Sequence, residues 1–74
     1  MKEKILKILG DIRPEFDFNE SDNFIDDGLL DSFDIVTLVS ELDSEFSISI
    51  NGEDISSENF ATLTTIENLL KVYI

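Results

Sequence analysis

Ser32 stands where an acidic run meets the most regular amphipathic stretch of the chain, in Asp26-Asp27-Gly28-Leu29-Leu30-Asp31-Ser32-Phe33-Asp34. A serine that opens a helix has unpaired N–H groups and the positive end of the helix dipole beside it. An anion carried on its oxygen gains ~0.3 to 1 kcal/mol from that field, and a phosphodiester suits the place. The same residues also suit a plain cap, with Asp31 and Ser32 closing the helix N-terminus and Asp34 in its first turn. Capping and modification are compatible. The chain has no Cys and no His, which removes thiolate and imidazole as nucleophiles, bases and metal ligands and excludes a disulfide framework. Hydroxyls, carboxylates and a few lysines remain. Placing Gly28 at the sixth position of an EF-hand loop puts Ile25 at a ligand position, so no calcium site is expected.

Seventy-four residues make one small domain, expected to span residues 1–74, with too little interior for a deep cleft and its own catalytic shell. The sequence therefore predicts a protein that is not an enzyme. With 42% hydrophobic residues and six Phe it can build a core, unlike a disordered acidic tail. The net charge is −12, and between Pro14 and Leu70 there are fifteen carboxylates and no basic residue. Such a surface repels nucleic-acid phosphates and anionic lipid and draws a basic protein patch. No apolar run approaches the ~20 residues of a membrane span, and no signal-peptide pattern opens the chain, so a cytoplasmic protein without membrane insertion is expected.

The elements that position Ser32 follow from periodicity. Ile5, Ile8, Leu9 and Ile12 share one helical face and predict a helix over Lys2–Ile12, which Pro14 stops. A long polar loop reaches Asp31, with Phe16, Phe18, Phe24, Ile25, Leu29 and Leu30 expected to pack inward. Ile35, Leu38, Val39, Leu42 and Phe46 predict a helix over Ser32–Phe46, with Asp34, Glu41, Asp43, Ser44 and Glu45 on its other side. Ser47-Ile48-Ser49-Ile50 alternates without a partner strand and reads as an extended connector, followed by a turn at Asn51-Gly52. Asp54 to Asn59 makes at most a short helix anchored by Ile55 and Phe60. A last helix carries Ile66, Leu69, Leu70 and Tyr73, with Thr64 and Glu67 as its capping box. The expected fold is all-α, a small antiparallel four-helix bundle of three longer helices and one short one.

The run around Ser32 resembles the acyl carrier protein family, including its peptidyl and D-alanyl carrier branches. In that family an Asp-Ser-Leu/Met/Phe triplet opens the second helix, as Asp31-Ser32-Phe33 does here. The following residues, Asp34 to Phe46, look like the family's acidic helix ending in Glu-Phe. Ile48-Ser49-Ile50 and Asn59-Phe60-Ala61-Thr62-Leu63 resemble its downstream signature. One departure bears on subclass: Gly28 lies three positions before Asp31, and Leu30 rather than a small residue precedes it. Gly-Leu-Leu-Asp-Ser is more similar to D-alanyl and other stand-alone carriers than to fatty-acid carriers.

The resemblance implies a carrier whose Ser32 is esterified with 4′-phosphopantetheine from coenzyme A by a phosphopantetheinyl transferase. The arm then holds an acyl or aminoacyl group as a thioester. It further implies a monomer visited by an adenylating ligase, synthase or acyltransferase with a basic docking patch, contacting Asp31, Phe33, Asp34, Val36, Glu41 and Asp43. Fatty-acid, polyketide, nonribosomal-peptide and D-alanylation pathways stay open. The alternative from another class is an acidic interaction module or nucleic-acid mimic in which Ser32 only caps its helix.

Overall fold

Pro14 cannot follow a helical residue without a clash, and Arg13 accordingly leaves helical geometry at φ −132°, ψ 77°. The first helix, α1, therefore spans Lys2–Ile12 and buries Ile5, Ile8 and Leu9. The computed structural model describes all residues 1–74 and contains three α-helices and no strand. The second, α2, spans Ser32–Phe46, and the third, α3, spans Leu63–Tyr73. The first two helices have the limits their periodicity predicts.

The helix α1 packs against both others. It runs antiparallel to α2: the Lys4 ammonium sits 5.8 Å from the Phe46 ring at one end, and Arg13 meets Asp34 at the other. The core holds fourteen apolar residues drawn from all three helices and both long connections.

The connection between α1 and α2 contains no α-helix, yet it is ordered by its own aromatics and amides. A 3₁₀ turn at Phe18–Glu20 is capped by Asp17, whose Oδ1 accepts from the Asn19 N–H at 3.0 Å. Phe18 and Phe24 are buried edge to face with centroids 5.1 Å apart. Asn23 Oδ1 accepts from the N–H groups of Ile25 and Asp26, and Gly28, at φ +79°, reverses the chain. Phe24 also donates its N–H to the Ala61 carbonyl at 2.7 Å, tying this loop to the approach of α3. Of the six residues expected inside, Phe18, Phe24 and Leu30 are buried, and Phe16, Ile25 and Leu29 pack partly buried against the core.

The connection from α2 to α3 departs from expectation. Ile50 is buried and Ile48 half-buried along the extended connector, as their alternation predicts. The short helix over Asp54 to Asn59 does not form: a 3₁₀ turn lies earlier, at Gly52–Asp54, and a separate turn covers residues 57–60. Local polar bonds compete with the helix here. Asn59 Nδ2 donates to the Asp54 carbonyl at 2.7 Å, and the Asn59 N–H reaches Ser56 Oγ at 3.3 Å. Phe60 is fully buried, whereas Ile55, expected as a second anchor, stays 37% exposed.

The cap of α3 also shifts. Thr62 and Thr65 form the reciprocal box in place of Thr64 and Glu67, with Thr62 Oγ1 accepting from the Thr65 N–H at 3.1 Å and Thr65 Oγ1 from the Thr62 N–H at 3.0 Å. Glu67 lies 3.8 Å from Lys71 one turn on.

Candidate functional site

Ser32 is the first residue of α2 and is exposed. Asp31 precedes it in extended geometry, φ −104°, ψ −178°, and caps the helix by accepting the Asp34 N–H at 2.8 Å. Asp34 closes the box, its Oδ2 accepting from the Asp31 N–H at 3.3 Å. The Asp31 carbonyl takes the Ile35 N–H at 3.0 Å. These bonds satisfy the second half of the first turn and leave the N–H groups of Ser32 and Phe33 without protein acceptors. The Ser32 hydroxyl stands outside this network on an open turn, and none of the four surface hollows is lined by it.

Around the turn the two apolar side chains named from sequence are solvent-facing: Phe33 is 76% exposed and Val36 65%. Asp31 and Glu41 are exposed as well. Asp31, Phe33 and Val36 lie within about a turn of Ser32 and make a small apolar strip with one carboxylate beside it, whereas Glu41 lies farther along α2, in the hollow lined by Lys4 and Lys7 of α1.

Two of the acids expected on that face turn elsewhere. Asp34 is the single charged residue among the buried ones, at 7% exposure, and besides the cap it accepts from Arg13 Nη1 at 3.1 Å. Asp43 is half-buried; its Oδ1 accepts from the Ile50 N–H at 3.0 Å and so folds the connector back onto α2. The reason is angular. Asp34 sits four residues before Leu38 and eight before Leu42, on the buried stripe itself, and Asp43 follows Val39 by four. That spacing was the signal in the sequence that neither acid belongs to the outward face.

Arg13 escapes a reading based on motifs. Its guanidinium lies between Asp34, the Phe16 ring at 5.0 Å from its carbon, and Glu15, whose Oε2 is 3.2 Å from Nε but not aligned as a hydrogen bond.

The model of the phosphopantetheine attachment site family matches residues 1–72. The chain belongs to that family. No curated protein and no solved structure matches it significantly. Phosphopantetheine-binding proteins carry a 4′-phosphopantetheine prosthetic group and act as carriers that meet a phosphopantetheinyl transferase and biosynthetic enzymes. The all-helical architecture agrees with that membership. The α2 turn fits the group on its own terms: a free, exposed hydroxyl lies beside two unpaired N–H groups at the positive end of a fifteen-residue helix. No helix of this phosphopantetheine-binding chain is long and apolar enough to cross a membrane.

Proposed function

We propose that residues 1–74 form one carrier domain, that Ser32 is its phosphopantetheine attachment point, and that the domain has no catalytic role of its own. The observation that carries this reading is the exposed, unbonded Ser32 hydroxyl opening α2 within the Asp31-Ser32-Phe33 triplet of a phosphopantetheine-binding chain. Ser32 Oγ attacks the phosphate of coenzyme A that bears the pantetheine arm. The phosphoanhydride bond breaks, the nucleotide leaves, and the hydroxyl proton passes to a base on the transferase. The chain supplies no His or Cys for this step, in keeping with a visiting enzyme as the source of the base. When bound, the group supplies a thiol on a flexible arm that can hold an acyl or aminoacyl cargo as a thioester.

The partner face in this reading is Asp31, Phe33 and Val36 beside Ser32, an apolar strip with an acidic edge that fits a basic docking patch, while Glu41, exposed farther along α2 on the side of Lys4 and Lys7, lies outside it. Single exposed ion pairs contribute only ~0 to 1 kcal/mol, so the acids act chiefly on speed, where a one-signed field raises association rates by ~10 to 10³-fold. Fast, weak docking suits a monomeric shuttle in the cytoplasm, where transferase and coenzyme A meet it. The Gly28-Leu29-Leu30-Asp31-Ser32 run favours a specialised carrier, of D-alanyl or related type, loaded by an adenylating ligase.

The test is intact mass. Wild type and Ser32→Ala are incubated with coenzyme A and a broad-specificity phosphopantetheinyl transferase. A gain of one phosphopantetheine in wild type alone is expected. No gain in wild type, or an equal gain in both, overturns the assignment.

A further inference from the structure

The chain contains one arginine and buries one carboxylate, and the two meet across 21 residues of sequence. Arg13 occupies the residue at which α1 stops, and Asp34 lies in the first turn of α2, so the contact joins both ends of the long acidic loop. The same Asp34 oxygen, Oδ2, accepts from Arg13 Nη1 and from the Asp31 N–H, the residue immediately before Ser32. Arg13 is itself held by the Phe16 face and the Glu15 carboxylate. A shared acceptor couples the cap of α2 to the end of α1. Without the guanidinium, Asp34 becomes an unpaired, buried charge that water must reach, and the carboxylate that orients Asp31 leaves its place.

We propose that Arg13 is a positioning residue for the modification of Ser32, acting through Asp34 and Asp31 to hold the turn in one conformation. This rests on Ser32 being the attachment point. A hydroxyl that attacks a phosphate must be aligned, and misplacement by about 1 Å costs up to ~10²-fold in rate.

A positioning role and a merely stabilising one differ in kinetics. Loss of stability dilutes the competent carrier, which raises the apparent KM for carrier and leaves kcat alone. Loss of position lowers kcat. The experiment measures steady-state transfer from coenzyme A to Arg13→Gln, Arg13→Lys and the double variant Arg13→Gln/Asp34→Asn, with a thermal melt of each. The double variant removes the stranded carboxylate, and its fold is expected to survive, which the melt checks. The expected result is a kcat lower by about tenfold in Arg13→Gln and in the double variant, with partial recovery in Arg13→Lys, whose ammonium can still meet Oδ2. Wild-type kcat in the folded double variant, or a change confined to KM, overturns the proposal.

Amide hydrogen exchange provides a readout that does not depend on the transferase. In Arg13→Gln the Asp34 amide, which donates to Asp31, is expected to exchange about tenfold faster relative to the core Leu42 amide. An unchanged ratio overturns the positioning role. If wild type takes up no phosphopantetheine while the ratio does change, the attachment reading falls and the Arg13 clamp on the α2 turn stands.

Discussion

Tyr73 shows how one hydroxyl can hold a segment that lacks regular structure. Its O–H donates to Asp54 Oδ2 and its oxygen accepts the Asn51 N–H at 3.0 Å, so the end of α3 clips the 3₁₀ turn at Gly52–Asp54. Donation to the Asp54 carboxylate favours the neutral phenol and lifts its pKa above the ordinary 10.0, with the Asn51 N–H opposing. A phenol whose folded pKa is raised stabilises the fold fully below pH 10.0, and the contribution is lost as pH rises through the folded value. Melting temperatures of wild type and Tyr73→Phe between pH 8 and 12 are therefore expected to converge at the alkaline end, with wild type the more stable below pH 10.0. A constant difference across that range contradicts the coupling. Phe33 poses the opposite case at this scale. It is 76% exposed, so Phe33→Ala is expected to change unfolding free energy by less than about 0.5 kcal/mol while weakening transferase docking, measured as a raised KM for carrier.

At the scale of the element, α2 owes its limits to its two ends. Asp31 closes the N-terminus, and its replacement by Ala is expected to cost about 1 kcal/mol in urea unfolding, within the 0.5 to 2 kcal/mol typical of capping residues. The C-terminus ends at Ser47, which adopts left-handed geometry at φ 54°, ψ 48° without being glycine. Removing the Cβ relieves that conformation, so Ser47→Gly is expected to raise stability by up to about 1 kcal/mol. Gly28 is the complementary position: its φ of +79° makes Gly28→Ala costly by about 1 to 2 kcal/mol even though open space surrounds it. The same denaturant series checks all three, and a stabilising Gly28→Ala or a destabilising Ser47→Gly would refute the backbone argument.

Helix limits of this kind were legible because they depend on neighbours within a turn. Pro14 stops α1, and the apolar stripe of α2 runs from Ile35 to Phe46. The expected short helix failed where Ser56 and Asn59 offered the backbone alternative partners, a competition that periodicity does not register. The α3 cap moved two residues because the reciprocal Thr62–Thr65 pair met the same requirement earlier in the chain, where Ala61 is already fixed by the Phe24 amide.

For the whole molecule, charge is the dominant fact. Fifteen acids lie between Pro14 and Leu70, and their only ion pairs are with Arg13 and Lys71, at the two margins of that stretch. Their mutual repulsion opposes the compact state, and screening shortens its reach from about 30 Å at 0.01 M salt to about 3 Å at 1 M. The melting temperature is expected to rise with sodium chloride over that range, and a salt-independent melt would contradict the repulsion.

The sequence by itself determined which residues are apolar on which helical face, where α1 and α2 begin and end, and that a serine behind an aspartate opens the acidic helix beside Phe33. Those are local matters of 3.6-residue spacing and backbone sterics. Tertiary structure alone decided that Arg13 reaches Asp34, that Asp43 takes the Ile50 amide, and that residues 51–62 settle into turns clipped by Tyr73. Each depends on chain segments distant in sequence closing on one core, where burial leaves a charge or an amide no solvent and so dictates its partner.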